Sequence, residues 1–293
     1  MGNELVGIST ELDLRHFGRK HRYSVYSEIA DRIRGKALRQ SMARSDLRMA
    51  CLPGDHVSDK IIAEGLYEKQ FLYTLVPTLI ENSSVFLNSC FLDVGANIGN
   101  HSCFLSKYFA KVIAFEPNPA AFHILAANIY INNLQNIEPV QLGLGAREAI
   151  LRFLQISGNL GASAFGDSAT AGVERFLQVV QGDRYLEQHS PGMPIGFVKI
   201  DVQGFEREVI EGLAATLSRD YPLVLFENEL NEKETPPLNA LKDLGYTRFF
   251  GFHESYFQFS GSLMRRLWKV IRNHIQLIEI SDPRGFHDIV ALR

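Results

Sequence analysis

Four acidic side chains each follow a run of apolar residues that has the length of a buried strand. They are Asp93, Glu116, Asp201 and Glu227. A carboxylate can bind a hydroxyl group, accept its proton or hold a cation. Because the carboxyl ends of the strands form the ligand crevice in an open, doubly wound α/β sheet, we expect the four to meet there. Any one of them could instead cap the helix that follows its strand.

The first of these acids opens a turn that contains two glycines. The sequence runs Asp93, Val, Gly95, Ala96, Asn97, Ile, Gly99, and an apolar periodic segment follows. This pattern predicts a strand, a tight turn and a helix, the first half of a βαβ unit. The two glycines would let the backbone approach a ligand closely. The N–H groups at the helix start would favour a carboxylate or phosphate.

The spacing of the glycines restricts the ligand. A dinucleotide fingerprint needs glycine at positions 97 and 100, where this chain has asparagine. A Walker loop needs Lys and then Ser or Thr after its last glycine, and this chain does not have that pair there. What remains resembles the S-adenosylmethionine loop of class I methyltransferases. Glu116 ends the next apolar run, where an acid is placed to bind ribose hydroxyls. The alternative is an α/β domain whose glycine turn and acid bind no ligand.

The composition indicates a globular chain. It has 293 residues, a net charge of −3 and 46% hydrophobic residues, which suffices for a large core and predicts no strong attraction to nucleic acid. The three cysteines form no CxxC pair or metal-ligand pattern, and so sparse and odd-numbered a set is typical of a reducing compartment. The N-terminus lacks a signal-peptide pattern, and no apolar run reaches the roughly 20 residues of a membrane span. We therefore expect a soluble, cytoplasmic protein without a transmembrane segment.

Residues 1–60 are expected to form a basic, helical extension ahead of one domain at 61–293. Over positions 11–48, ten Lys or Arg stand against five acids. Such an extension could recruit an anionic partner, such as a phosphorylated or lipid-linked substrate or a membrane surface. The interpretation that we favour is a solvated helix that packs on the domain. Within the domain, the strands predicted at 148–156 and 173–180 form an inserted antiparallel pair that departs from regular βαβ alternation.

Three blocks of sequence carry a resemblance to a known family. They are Asp93-Val-Gly-Ala-Asn-Ile-Gly99, Phe115-Glu116-Pro117-Asn118 and Val198-Lys-Ile-Asp201-Val-Gln203-Gly204-Phe-Glu206. Over roughly residues 60–230 the chain resembles the FkbM family of S-adenosylmethionine-dependent methyltransferases. The resemblance implies a Rossmann-like class I methyltransferase fold with seven strands, and methyl transfer to an oxygen of a sugar, glycan or other natural product. The family usually has Glu where this chain has Gln203, so a charge beside Asp201 is missing.

The resemblance also implies site residues. For the cofactor they are Asp93, Gly95, Ala96, Asn97, Gly99, Glu116, Pro117 and Asn118. Asp93 and the glycine turn would position the methionyl end of S-adenosylmethionine, and Glu116 would bind its ribose. Asp201 and Glu227 are candidates for the catalytic base or for acceptor binding. His101 is a second candidate base, although a histidine in the first turn of a helix is more often a cap or a surface residue.

Two further interpretations concern the acceptor side. Asp201 with Glu227 and Asn228 could hold Mg²⁺ in a site that would resemble the one in catechol O-methyltransferase. We favour ordinary hydrogen bonding by these groups and assign no metal. The aromatic side chains of Tyr256 and Phe257 could line an acceptor pocket, where a small molecule or glycan would stack on them.

Other classes of function stay open. Tyr67 and Glu68 could reach a ligand over the mouth of the sheet, or simply cap and pack. A non-catalytic adenosine-binding module would keep the glycine turn and lose the acids on the acceptor side, which this chain has. A methyltransferase could also act on protein or nucleic acid. A nucleic-acid base methyltransferase often has Asn/Asp-Pro-Pro-Tyr/Phe after its fourth strand, where this chain has Asp201-Val-Gln-Gly, so we expect no nucleic-acid partner.

Overall fold

The computed structural model describes residues 47–156, 164–165, 173–228, 235–255 and 274–293. Two sequence-based predictions therefore lie outside the described residues. One is most of the basic extension, and the other is the pair of acceptor-pocket candidates Tyr256 and Phe257.

The described chain contains both strands and helices. The strands are β1 (Cys90–Val94), β2 (Lys111–Phe115), β3 (Ile137–Val140), β4 (Gly143–Gly145), β5 (Ala149–Gln155), β6 (Ala164–Phe165), β7 (Val173–Gln181), β8 (Ile195–Ile200), β9 (Leu223–Glu227), β10 (Arg248–Ser255), β11 (His274–Glu279) and β12 (Asp288–Leu292). The helices are α1 (His56–Glu64), α2 (Lys69–Glu81), α3 (Ser83–Phe86), α4 (Asn100–Leu105), α5 (Pro119–Ile131), α6 (Gly182–Gln188), α7 (Glu206–Gly212), α8 (Ala214–Asp220) and α9 (Pro236–Asp243). A short 3₁₀ turn at Ser106–Tyr108 follows α4.

The larger sheet has the strand order β11-β10-β12-β9-β8-β1-β2-β3. Pairing is parallel from β9 through β8, β1 and β2 to β3, and β12 runs antiparallel between β9 and β10. Because helices connect the parallel strands, the predicted doubly wound, Rossmann-like α/β fold is confirmed. The predicted strand number is wrong. The described part of this sheet has eight strands rather than seven, because β11 pairs antiparallel with β10 at the edge.

A second, smaller sheet lies between β3 and β8 in the chain, with the order β4-β7-β5-β6. The strands predicted at 148–156 and 173–180 correspond to β5 and β7, which pair antiparallel from Ala149 opposite Val179 to Gln155 opposite Val173. The insertion is larger than the predicted pair, because β4 pairs with β7 and β6 pairs with β5. Strands of two or three residues are too short to show a hydrophobic period, so the sequence pattern does not reveal them.

The central strands have apolar layers on both faces. Leu92 and Val94 of β1 join one buried apolar cluster, whereas Phe91 joins the other, because successive side chains of a strand point to opposite faces. In the sheet, β2 lies on one side of β1 and β8 lies on the other side, so the strand order changes direction at β1. This change of direction is the point at which a doubly wound sheet opens a crevice at its carboxyl edge.

Asn128 on α5 and Asn132, directly after its end, hold the start of the described chain. The side chain of Asn132 accepts from the Arg48 N–H at 2.9 Å and donates to the Arg48 carbonyl at 2.7 Å. One turn earlier, Asn128 accepts from the Ala50 N–H at 2.6 Å and donates to the Ile98 carbonyl at 2.8 Å. Because these amides pair with backbone as a neighbouring strand would, residues 48–50 lie along α5 and lead into α1 above the crevice.

Candidate active site

A cavity of about 260 Å³ opens at the carboxyl ends of β1, β2, β8 and β9. Of the residues expected to form the site, its lining includes Gly95, Ala96, Asn97, His101, Glu116, Pro117, Asp201 and Glu227. Asp93, Gly99 and Asn118 do not line it. Asp93 and Asn118 are buried beside it, and Gly99 begins α4. The structure therefore brings three of the four strand-end acids to one cavity and places the fourth behind it.

Glu116 is held by two backbone groups. Its carboxylate accepts the Asn97 N–H at Oε2 and the Asn118 N–H at Oε1, both at 2.8 Å. Burial raises the pKa of Glu116 to about 7, against the lowering effect of these two hydrogen bonds. A carboxylate that lines the cavity with its orientation set in this way can accept hydrogen bonds from ligand hydroxyls.

The same two asparagines offer buried polar atoms to a ligand. Asn97 Oδ1, an acceptor, and Asn118 Nδ2, a donor, are buried and have no hydrogen-bond partner among the described residues. Buried polar atoms are normally paired, so an unpaired acceptor and an unpaired donor beside Glu116 indicate a ligand that has both kinds of group. The ribose and adenine of S-adenosylmethionine have this chemistry, so the residues present fit the cofactor.

The two glycines of the turn serve the packing of the protein. Both have positive φ, 80° at Gly95 and 87° at Gly99. A Cβ atom on Gly95 would lie 1.9 Å from the Asp201 carbonyl oxygen, and one on Gly99 would lie 2.5 Å from Leu125 Cδ1. The sequence analysis expected a ligand to approach these glycines closely. In the structure the end of β8 and helix α5 approach them instead, and these contacts fix the shape of the turn.

Lys199 is a buried cation that the sequence analysis did not assign to the site. The register of β1 and β8 places it opposite Asp93. Its Nζ lies 3.1 Å from Asp201 Oδ2 and 3.9 Å from Asp93 Oδ1, while Ser102 Oγ donates to Asp93 Oδ2 at 2.6 Å. Burial alone would lower the pKa of Lys199, but the Asp201 and Asp93 carboxylates outweigh it and keep the lysine charged. Asp93 therefore acts on the cavity through Lys199 rather than directly.

The acceptor-side acids form a chain of hydrogen bonds. Gln203 Nε2 donates to Asp201 Oδ1 at 3.1 Å and to Glu227 Oε2 at 2.8 Å. His287 Nε2 lies 3.0 Å from Glu227 Oε1, and its Nδ1 lies 3.3 Å from Asp288 Oδ2. Hydrogen bonds to Asp288 and Glu227 raise the pKa of His287 to about 11, so this ring is protonated at neutral pH. Burial would raise the pKa of Asp201, but Lys199 and Gln203 hold it below its usual range.

His101 also lines the cavity and is buried. Its Nε2 is 3.1 Å from Glu68 Oε2, and its ring meets Phe71 edge to face. Burial alone would raise the pKa of Glu68, but His101 and Lys199 lower it. Asn100 clamps the segment that carries Glu68, because its side chain accepts from the Tyr67 N–H and donates to the Tyr67 carbonyl, both at 3.0 Å. Tyr67 and Glu68 therefore do reach over the mouth of the sheet.

Strained backbone is concentrated at this cavity. The described chain has five residues other than glycine with positive φ, and three of them, Glu68, Asn97 and Gln203, line the cavity. A left-handed conformation costs about 1–2 kcal/mol for most residues and persists where the surroundings impose it, which is frequent at functional sites.

The three side chains considered as Mg²⁺ ligands, those of Asp201, Glu227 and Asn228, do not face a common point. Asn228 donates to the Phe286 carbonyl at 3.1 Å and accepts from Thr235 Oγ1 at 2.7 Å, so its side chain is turned away from Asp201. Among the described residues, no group of three or more His, Cys, Asp or Glu is arranged to hold a metal ion.

Comparison with known proteins decides the family. A sequence profile described as the methyltransferase FkbM domain matches residues 93–259, more than half of the chain. The chain belongs to the FkbM methyltransferase family. It thus carries the domain of an S-adenosylmethionine-dependent methyltransferase, as the three sequence blocks implied.

This FkbM chain is similar in sequence to two methyltransferases from other organisms. Hexuronic acid methyltransferase AglP of Haloferax volcanii is 33% identical over 125 residues, which cover 43% of this chain and 50% of AglP. Methyltransferase sdnD of Sordaria araneosa is 27% identical over 184 residues, which cover 50% of this chain and 69% of sdnD. The match thus spans half the length of AglP.

A solved FkbM methyltransferase from Methylobacillus flagellatus aligns with a TM-score of 0.40 at 12% identity, over 90% of this chain and 60% of that one. In the part of this FkbM chain that the structure describes, no helix has the length and apolar character needed to cross a membrane.

Proposed function

We propose that this protein is an S-adenosylmethionine-dependent O-methyltransferase that acts on a hydroxyl group of a sugar, glycan or related natural product. The observation that carries the proposal is that one cavity joins the Glu116 cradle to the ionised Asp201 carboxylate. The name of the relative AglP, a hexuronic acid methyltransferase, supports a sugar as acceptor.

The cofactor half of the cavity would be built by the turn after β1 and by the end of β2. When bound, S-adenosylmethionine supplies a methyl group on a positively charged sulfur that is a good leaving group. Glu116 would accept hydrogen bonds from the ribose hydroxyls, and Asn97 Oδ1 and Asn118 Nδ2 would pair with polar atoms beside the ribose. Gly95, Ala96 and Pro117 would shape the surface against which the cofactor lies, with Asp93 acting through Lys199. Gly99, which packs against Leu125, would hold the turn in place from behind.

The acceptor half would align a hydroxyl oxygen with the methyl group. Alignment of this kind can supply about 7–11 kcal/mol of the barrier. Asp201 would accept a hydrogen bond from the hydroxyl and hold its oxygen in place. Glu227 would take up the proton as the methyl group arrives, because Lys199 and Gln203 hold the pKa of Asp201 below its usual range and make it the weaker base. His101, paired with Glu68, is the second candidate base. This arrangement assigns no role to a metal ion.

The chain outside the site completes the proposal. We assign residues 61–293 to the methyltransferase domain and residues 1–60 to an extension that packs on it. Cys51, Cys90 and Cys103 are all free thiols, which supports a reducing, cytoplasmic location. Besides Glu116, the cavity wall has four acids, Glu68, Asp201, Glu227 and Asp288, against the two cations Lys199 and His287. This excess of acids means that a phosphorylated or lipid-linked acceptor would keep its anionic group outside the cavity.

Calorimetric titration with S-adenosylhomocysteine tests the cofactor assignment. We expect wild type to bind it with micromolar affinity and Glu116→Ala to bind about 10–100-fold more weakly, because hydrogen bonds to a charged group contribute about 1.5–3 kcal/mol. Glu138→Ala is the matched control, because Glu138 ends no strand at the cavity and pairs with Lys111 on the surface. It should bind as wild type does.

Either of two results would contradict the proposal. One is no binding by folded wild type, and the other is equal weakening by both substitutions. Once binding is established, transfer of a labelled methyl group to glycan and glycolipid acceptors separates an enzyme from a non-catalytic adenosine-binding module. Parallel reactions with protein and RNA test the other acceptor classes.

The affinity for S-adenosylhomocysteine should depend on pH through Glu116. Its pKa of about 7 in the free protein means that the carboxyl is largely protonated at pH 6 and ionised at pH 8. Ribose hydroxyls donate to the ionised form, so binding should strengthen up to about tenfold for each unit of rising pH below 7 and level off above it. Titrations in two buffers of different ionisation enthalpy should show proton release near pH 6.5. A flat profile between pH 6 and 8 would count against Glu116 as the ribose ligand.

A further inference from the structure

Gln203 lies between two carboxylates from different strands. Its Nε2 is 3.1 Å from Asp201 Oδ1 and 2.8 Å from Glu227 Oε2. The remaining oxygens of the two acids have other partners, since Lys199 is 3.1 Å from Asp201 Oδ2 and His287 is 3.0 Å from Glu227 Oε1. Because both neighbours of the amide are carboxylate oxygens, only its NH₂ end can satisfy them, with one hydrogen for each acid.

The backbone at this point is built to present the amide. Gln203 has φ 55° and Gly204 has φ 95°, so two consecutive residues have a left-handed backbone conformation. The Glu206 carboxylate accepts the Val202 N–H at 3.1 Å and the Gly204 N–H at 3.0 Å, which fixes the turn. The left-handed conformation strains every residue except glycine, most of all those without a short polar side chain such as Asn or Asp. A long amide side chain at this position therefore indicates a task for the amide itself.

Two ionised carboxylates that approach one atom from opposite sides repel each other unless something between them carries positive charge or donates hydrogen bonds. A divalent cation is the species that commonly bridges such a pair through oxygen ligands. An amide NH₂ bridges them without adding charge, and it leaves no space for an ion between them.

We propose that Gln203 is a positioning residue that takes the place of a bridging cation and sets the distance between Asp201 and Glu227. The inference rests on the proposed function in one respect, namely that these two carboxylates face the acceptor. It predicts that loss of the amide opens a cation site, and that a third carboxylate at this position completes the site.

Titration with Mn²⁺ alone, by calorimetry and by the paramagnetic resonance signal of free Mn²⁺, tests this inference. We expect Gln203→Glu to bind one Mn²⁺ at least about tenfold more tightly than wild type, because each added carboxylate ligand strengthens cation binding. Gln135→Glu is the matched control. It adds the same charge at an exposed residue whose amide donates to the Asn133 side chain, and it should bind Mn²⁺ as wild type does.

A second variant covers the case in which Gln203→Glu does not fold. Gln203→Gly relieves the left-handed strain, which offsets part of the stability lost with the two hydrogen bonds to the carboxylates, and the folded variant should still bind Mn²⁺ more tightly than wild type. The inference is overturned if wild type binds Mn²⁺ as tightly as the folded variants, or if the variants bind no more tightly than Gln135→Glu. Because no cofactor is present in these titrations, their outcome is independent of whether S-adenosylhomocysteine binds.

Discussion

Replacement of Lys199 by methionine is expected to lower the free energy of unfolding by about 3–5 kcal/mol at pH 8, because removal of one partner leaves buried charges uncompensated. The ammonium group is buried, 3.1 Å from Asp201 and 3.9 Å from Asp93. Methionine fills a similar volume, so the effect reports charge rather than an empty space. Denaturant unfolding of both proteins measures the difference.

The matched control is Lys111→Met, because Lys111 pairs with Glu138 on the surface, where side chains of 29% and 42% exposure leave the ion pair screened by solvent. We expect a loss of no more than about 1 kcal/mol there.

The loss in free energy of unfolding caused by Lys199→Met should also become smaller as the pH falls toward 5. Asp201 has a lowered pKa in wild type and is stabilising only above its unfolded-state value, and without Lys199 it can take up a proton. Equal losses for the two substitutions, or a deficit that grows at low pH, would show that Lys199 is not the charge that holds these acids.

Gly95→Ala is expected to destabilise the protein by more than about 4 kcal/mol and to abolish S-adenosylhomocysteine binding. The new methyl group would lie 1.9 Å from the Asp201 carbonyl oxygen, so the turn after β1 and the end of β8 would have to separate. The positive φ of 80° adds strain. Thermal unfolding and calorimetry on the same preparation measure both effects.

Gly204→Ala is the control that separates the steric collision expected at position 95 from the backbone strain of a positive φ. Gly204 has φ 95°, and no atom of the described residues lies within 4 Å of a Cβ atom placed there. It should therefore lose only about 1–2 kcal/mol, from backbone strain alone, and should bind S-adenosylhomocysteine. If both alanines cost the same, then the contact between Gly95 and Asp201 is not what fixes the turn.

These contacts show that the two halves of the cavity share Asp201. Its backbone packs against the turn that would hold the cofactor, and its side chain joins Lys199 to Gln203 on the acceptor side. A change in the turn would therefore move a carboxylate that we assign to the acceptor. We expect substitutions in the turn to impair turnover as well as cofactor affinity.

Local pattern was sufficient for much of the fold and part of the site. Apolar runs that end in an acid, followed by glycine or a helical period, predicted β1, β2, β8 and β9, because these signals lie within about ten neighbouring residues. The rule that strand ends meet at one edge then placed Glu116, Asp201 and Glu227 at one crevice, where the structure finds them. The eighth strand, β11, and the two short strands β4 and β6 of the insertion were missed, because short or edge strands depend on pairing partners that are distant in the chain.

The sequence by itself determined the family, the doubly wound sheet and the acids at its strand ends. Only the tertiary structure decided how these acids are partnered. Strand register places Lys199 beside Asp93, the antiparallel β12 places Asp288 opposite Glu227 with His287 next to it, and a left-handed turn aims Gln203 at two carboxylates. Lys199 and Asp93, Asp288 and Glu227, and Gln203 and Glu227 are pairs of residues far apart in sequence, and no local period or propensity encodes such contacts. The ionisation state of the site therefore follows from the folded chain.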